Sequence, residues 1–270
     1  MVASGLAGRV ALVTGGANGL GRATSAALAE KGCAVAVLDW NGEAAVEAAR
    51  ALAAAGAKSH AVVADVADGA AAEAAFREVE ARLGPVDVLV NNAGIMPQER
   101  VPHHAQPFAN FEAMLRIHVD GTARFCHLAV PSMRERGFGR IVNLASALSV
   151  QGAPYRLGYV TAKTALVGLT RGLAIENARF GITVNAIAPG YVLTDVHRRA
   201  IAIGKLDHDL YAERTPLGRW GRPEEIARVI AFLAEPASEF VTGALWPVDG
   251  GYTARGDAGE EIGPRPEEVR

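Results

Sequence analysis

Seven short β-branched runs alternate along this chain with longer alanine-rich segments, and no other feature restricts its folding options as much. The runs are RVALVTG (9–15), CAVAVLD (33–39), SHAVVAD (59–65), VDVLVNN (86–92), GRIVNLAS (139–146), GITVNAIAP (181–189) and ALWPVDGG (244–251). Most are almost continuously apolar, as strands buried on both faces are, whereas a half-exposed strand alternates. Between the first four lie GRATSAALAEKG (21–32), GEAAVEAARALAAAG (42–56) and GAAAEAAFREVEARLG (69–84), each with helical spacing and a terminal glycine. Strand and helix in strict alternation dictate a parallel sheet with helices on both faces and right-handed crossovers. The expected fold is therefore α/β: a doubly wound, parallel, seven-stranded sheet in a three-layer α/β/α arrangement, one domain over residues 1–254. Residues 255–270, RGDAGEEIGPRPEEVR, hold almost nothing apolar and read as a C-terminal tail.

Composition narrows the function classes. Lys and Arg number 27 against 29 Asp and Glu, a net charge of -2, so nothing electrostatic calls for nucleic acid or an anionic membrane as partner. No uncharged run is long enough to span a bilayer. The N-terminal MVASGLAGRVALVTGG has too short an apolar run for a signal peptide, so the expected location is the cytoplasm. The two cysteines, Cys33 and Cys126, cannot make a metal cluster by themselves and read as small buried hydrophobes. No metal site is expected.

In an open parallel sheet, ligands bind beyond the carboxyl ends of the strands. The first strand ends there in TGGANGLG, Thr14 to Gly21, and a helix follows at once. Gly15, Gly19 and Gly21 allow a tight turn, a close backbone approach and helix–sheet packing, while the helix start offers free N–H groups to a phosphate. Asp39, at the end of the second strand, lies twenty residues beyond Gly19. A carboxylate there accepts hydrogen bonds from both hydroxyls of an adenine ribose, or else caps the next helix. A 2′-phosphate would meet that carboxylate with no Lys or Arg in DWNGE or GANG to offset it. The pattern predicts NAD over NADP.

YVTAK (159–163) puts a phenol and an ammonium four residues apart, on one face of an expected helix. Alone, that is an ordinary solvated pair. The glycine spacing T-G-x-x-x-G-x-G, NNAG (91–94), NLAS ending at Ser146, YVTAK, APG (188–190) and VDGG (248–251) occur together and in order, with Ser146 thirteen residues before Tyr159. In these motifs, over about residues 7–254, the chain resembles the short-chain dehydrogenase/reductase (SDR) family, with its Rossmann-type fold.

The resemblance implies roles residue by residue. Tyr159 is the acid/base toward the substrate oxygen, Lys163 favours its phenolate and binds the nicotinamide ribose, and Ser146 orients the substrate and steadies developing charge. Gly15, Asn18, Gly19, Leu20, Asp39 and Trp40 match positions that hold the adenosine and phosphates. Asp65 and Val66 would hold the adenine, and Asn92, Ala93 and Gly94 would offer backbone contacts. Pro189, Gly190, Val192 and Thr194 would hold the carboxamide. Asn143 and Asn185 match structural positions. In RIHVDG the family pattern has Asn where this chain has His118. That histidine either keeps a proton relay in altered form or sits satisfied in the core.

The substrate is expected to meet Met96, Leu148, Gln151, Arg156, Tyr191 and His197, with a flap over about 191–222 and a contribution from Arg100, His103 and His104. Arg156 either reaches a polar or anionic substrate group or turns to solvent as a helix-start arginine. The implied activity is an NAD-dependent oxidation of a secondary alcohol in a sugar, polyol or hydroxy acid. The alternatives are an NAD(P)H-dependent ketone or 3-oxoacyl reductase, and a non-redox NAD-binding dehydratase or sensor. The partner set is a small alcohol or carbonyl compound and further copies of the chain in a homotetramer, with the tail able to reach a neighbour's site.

Overall fold

The computed structural model describes residues 5–96 and 101–256. Its seven strands are β1 (Val10–Thr14), β2 (Ala34–Asp39), β3 (Ser59–Val63), β4 (Val88–Asn91), β5 (Gly139–Leu144), β6 (Ile182–Pro189) and β7 (Leu245–Val248). They form one sheet in the order β3-β2-β1-β4-β5-β6-β7, with every pairing parallel. Each lies within the run expected for it. The order reverses between β1 and β4, which opens a crevice at their carboxyl ends. Pro247 is accommodated because β7 is an edge strand and lacks a neighbour on one side.

Side-chain alternation splits the core into two layers. Ala11, Val13, Val35 and Val37 face one side with helices α1 (Gly19–Glu30), α2 (Gly42–Ala54) and α9 (Pro223–Ala234). Val10, Leu12, Ala36 and Leu38 face the other, against α3 (Gly69–Leu83), α5 (Gly121–Arg136) and α6 (Leu157–Asn177). Fully buried leucines such as Leu12, Leu28 and Leu38 each contribute about 2 kcal/mol of apolar burial. Asn41 and Asp68 start α2 and α3 by accepting the N–H groups of Ala44 and Ala71. The remaining helices are α4 (Phe108–Leu115), α7 (Asp195–Ala202) and α8 (His208–Glu213). Between α4 and α5 the chain takes a five-residue π-helical turn over 116–120, which no sequence pattern announced.

The amino-terminal end of the sheet is closed by structure. Buried Arg140 donates to the carbonyls of Gly139, Gly181, Glu235 and Pro236 and lies over the Phe138 ring at 4.3 Å. Arg9 covers the same ring at 3.8 Å and pairs with Asp87 at 3.1 Å. That leaves the carboxyl end for chemistry. Among the described residues, no helix is long and apolar enough to cross a membrane, and no group of three His, Cys, Asp or Glu side chains is placed to hold a metal ion.

Candidate active site

The glycine-rich turn after β1 is a cradle into which side chains do not fit. Gly15 and Gly19 have φ of 61° and 50°. A Cβ at Gly15 would lie 2.9 Å from the Ala93 backbone, and one at Gly21 would lie 2.0 Å from the Gly15 carbonyl oxygen. Asn18 caps α1 without a side-chain bond, so the first-turn N–H groups stay available to an anion. Leu20 packs its side chain on the core, which leaves its backbone as the part able to meet a ligand.

Thr14 ties this turn to the end of β4. Its hydroxyl accepts the N–H groups of Asn92 and Ala93 at 3.0 and 3.1 Å, and the Asn92 amide donates to the carbonyls of Thr14 and Gly15. The backbone contacts expected from Asn92 and Ala93 are thereby confined to their carbonyl oxygens. The Asp39 carboxylate is buried and accepts the N–H groups of Ala17 and Asn41 at 3.2 and 3.1 Å. It therefore orders the glycine turn. Trp40 beside it is 81 % exposed. Asp65 accepts the Ala67 N–H, and buried Val66 packs against Gly121.

On the flap side, Pro189 ends β6 and Gly190 fits against Asp249, where a Cβ would come within 2.9 Å. Val192 is buried and bridges to Gly221. Thr194 closes on Gly19, but its hydroxyl is already engaged with His197 Nδ1 at 2.9 Å.

Ser146, Tyr159, Lys163 and His118 converge where β5 ends and α6 begins. The Ser146 hydroxyl accepts the Leu148 N–H at 3.1 Å and lies against the phenol of Tyr159. Lys163 is buried; its Nζ donates to the Leu144 carbonyl at 2.5 Å and sits 5.7 Å from the Tyr159 ring centre. Burial dominates the titration of both groups. It raises the phenol above its ordinary value, against the opposing pull of Ser146 and the Arg156 charge, and it lowers the Lys163 amine to about 7. The sequence reading had Lys163 acidify Tyr159. In the protein alone the ammonium is turned to a carbonyl and desolvation prevails.

His118 is buried between the end of β4 and Tyr159. The π-helical turn drives its ring under Gly94, where a Cβ would lie 2.3 Å from His118 Cε1. Its Nε2 stands 2.9 Å from the Ile95 carbonyl and 3.2 Å from the Ile95 nitrogen, and the ring meets Tyr159 edge-on at 5.6 Å. Nδ1 is buried without a partner among the described residues. At 2 % exposure, burial and then the Lys163 charge push its pKa down to about 3. The unfolded chain binds this proton below about 6.5 and the folded one refuses it until about 3, so stability is lost as pH falls through that window. Between pH 7 and 5 the expected loss from this residue is about 2 kcal/mol. Urea unfolding of the parent and His118→Asn at both pH values checks it: the parent should weaken more on acidification, and equal weakening would reject the buried neutral imidazole.

The candidate substrate residues divide. Arg156 is half-buried at the N-cap of α6, and its charge reaches Tyr159 and the flap residue His197, whose pKa is lowered by burial and then by that arginine. Tyr191 joins an aromatic shelf that the sequence reading missed: ring centres lie 4.6 Å from Tyr211, 5.7 Å from Trp220 and 5.0 Å from Tyr252. His197 packs on the same Trp220 at 5.4 Å. The available signal was aromatics gathered in and after the flap of a chain only 6 % aromatic. Met96 is exposed beside Ile95, Leu148 and Gln151 are half-buried, and His103 and His104 lie on the surface. Arg100 and the tail beyond Gly256 lie outside the described residues.

A dinucleotide cradle beside a Ser–Tyr–Lys cluster, on a doubly wound parallel sheet, defines a nicotinamide-dependent oxidoreductase of the Rossmann type. The family model described as enoyl-(acyl carrier protein) reductase matches residues 15–253, and the chain belongs to the short-chain dehydrogenase/reductase family. It is 42 % identical over 249 residues to cis-4-hydroxycyclohexanecarboxylate dehydrogenase of Sinomonas cyclohexanicum, covering 91 % of this chain and 97 % of that one. To D-beta-hydroxybutyrate dehydrogenase of Cupriavidus necator it is 32 % identical, covering 93 % and 100 %. The crystal structure of a gluconate 5-dehydrogenase from Burkholderia cenocepacia, in complex with NADP and tartrate, superposes with a TM-score of 0.87 at 37 % identity, covering 95 % and 100 %.

Proposed function

We propose that the chain is an NAD-dependent dehydrogenase of a secondary alcohol carried by a sugar, polyol or hydroxy acid. The observation that carries this reading is the meeting of Ser146, Tyr159 and Lys163 at one end of the sheet, next to a glycine cradle that any Cβ would fill. In the reaction, Ser146 orients the substrate oxygen and Tyr159 takes its proton. When bound, the cofactor supplies the hydride acceptor and, in its oxidised form, a positive charge beside the phenol. The chain's contribution to lowering the phenol is the Ser146 hydroxyl first and the Arg156 charge second. Lys163 has two alternatives for its Nζ, the Leu144 carbonyl or a ribose hydroxyl, and it serves the site by the second. The first-turn N–H groups of α1 meet the pyrophosphate, and Asp39 meets the ribose hydroxyls.

The preference for NAD rests on the Asp39 carboxylate. The NADP in the Burkholderia structure belongs to that protein and makes the choice worth measuring here. Assembly into a homotetramer is supported by exposed Ile175 on α6, beside a face where Gly168 and Gly172 leave open space, and by exposed Phe232 and Phe240 near β7. Sedimentation velocity gives its test, a monomer being the contrary result. The names of the relatives put hydroxy acids at the head of the substrate panel. Sugars, polyols and hydroxy acids are offered with NAD and NADP in parallel while reduced nicotinamide is followed by absorbance. Formation of NADH with at least one of them is expected; binding of cofactor with no turnover of any alcohol or ketone rejects the dehydrogenase reading.

A further inference from the structure

Thr194 is the N-cap of α7, yet its hydroxyl makes no bond to the helix it begins. A threonine in that place ordinarily accepts a first-turn N–H, as the side chains of Asn41, Asp68 and Asp207 do at the starts of α2, α3 and α8. The Thr194 hydroxyl lies instead 2.9 Å from Nδ1 of His197. Its methyl group is committed as well, standing 3.3 Å from the place of a Cβ on Gly19, against the glycine turn. With both branches of a β-branched side chain engaged, one rotamer is fixed.

The imidazole is itself held. Its ring packs on Trp220 with centres 5.4 Å apart. Trp220 is buried, its Nε1–H donates to the His208 carbonyl at 3.0 Å, and its ring also meets Tyr191 and Tyr211. The backbone ties the same parts together: the Leu193 N–H donates to the Gly221 carbonyl at 2.9 Å, and the Gly221 N–H to the Tyr191 carbonyl at 2.8 Å. Threonine and indole thus stand on paired segments, and the imidazole touches both. A hydroxyl carries one hydrogen and two lone pairs, and His197 takes up one of the three, so the Thr194 oxygen can still meet a ligand. The arrangement gives up a helix cap and fixes the hydroxyl beside the glycine cradle instead.

We propose that His197 is a positioning residue for the cofactor: it keeps the Thr194 hydroxyl off the helix start and available to the nicotinamide carboxamide, with Trp220 as its backstop. The inference rests on the nicotinamide-dependent reading above and deepens it, by assigning to the cofactor a histidine expected to meet substrate. Without the imidazole, the first-turn N–H groups of α7 compete for the hydroxyl and the carboxamide loses a partner. The pyrophosphate and the adenine ribose are assigned to α1 and Asp39, so the loss is confined to the nicotinamide half of the dinucleotide.

The test measures, by calorimetry, the binding of NADH and of ADP-ribose, which lacks the nicotinamide, and takes the ratio of their dissociation constants. His197→Phe keeps a ring on Trp220 and removes both nitrogens. It should shift that ratio against NADH by about fivefold, the scale of one hydrogen bond, while ADP-ribose binds within about twofold of its affinity for the parent. Thr194→Val should give the same shift, and the double variant no more than either, because both changes remove one interaction. His197→Asn, which returns a polar atom near the place of Nδ1, should recover part of it. Equal losses for NADH and ADP-ribose in His197→Phe would show a structural role and overturn the proposal. An unchanged ratio in His197→Phe overturns it too, as do additive shifts in the double variant. A parent that binds neither compound defeats the cofactor reading as well.

Discussion

Tyr159→Phe is expected to lower kcat by about 10³-fold, within the range that a positioned acid/base contributes, while cofactor still binds and the fold survives. The phenol has few structural duties that the ring alone cannot meet. It packs edge-on against His118 through carbon and faces Ser146 through oxygen, so the variant keeps the first contact and loses the second. The size of the effect also reports how the phenol is tuned. Burial raises it and Lys163 is turned to Leu144, whereas the positive charge of an oxidised cofactor would lower it. The kcat/KM of the alcohol should therefore fall along an acidic limb that lies at lower pH in the cofactor complex than the titration of Tyr159 in the free enzyme. Coincident values would mean that the site is tuned by the protein alone. A Phe variant within about tenfold of the parent would mean that another group takes the proton.

The second large effect concerns cofactor choice. The Asp39 carboxylate and a ribose 2′-phosphate would stand in contact as like charges at a partly enclosed site. At an effective dielectric near 20 that repulsion amounts to about 3 kcal/mol, so kcat/KM should favour NAD over NADP by about 100-fold. Asp39→Asn removes the charge and keeps an oxygen for the Ala17 N–H, so the ratio should drop to about tenfold or less without loss of the glycine turn. Arg22 offers the rival outcome. It pairs with Glu47 at 3.1 Å on the surface of α1, a weak interaction that it could exchange for a phosphate. If the parent uses NADP as well as NAD, and Arg22→Ala alone abolishes that use, the Asp39 argument fails.

The sequence is most informative where the physics is local. Strands buried on both faces declare themselves as apolar runs, and the glycine turn declares itself because a side chain at Gly15 or Gly21 collides with backbone. The Tyr159–Lys163 spacing is legible for the same reason, since four residues on a helix fix a common face. What escaped depends on distant parts of the chain or on collective burial. The π-helical turn that carries His118 has the composition of ordinary helix. The shelf of Tyr191, Tyr211, Trp220 and Tyr252 brings together residues up to 61 apart in sequence. Thr14 takes up the N–H groups of Asn92 and Ala93, two residues expected to offer backbone contacts, because β1–β4 pairing puts it there. The direction of the Tyr159 shift reversed because desolvation sums over every neighbour, whereas spacing shows only one. The positive φ of 63° at Tyr155 was likewise not legible, since no residue type predicts it for tyrosine.

We propose that this chain removes a hydride from a carbon bearing a hydroxyl group. Supplying the accepted alcohol with deuterium on that carbon, and examining the reduced cofactor by mass spectrometry, tests it at the atom concerned. The label should appear at nicotinamide C4 in equal amount to the ketone formed. Ketone without labelled cofactor, or label released to water, would contradict it.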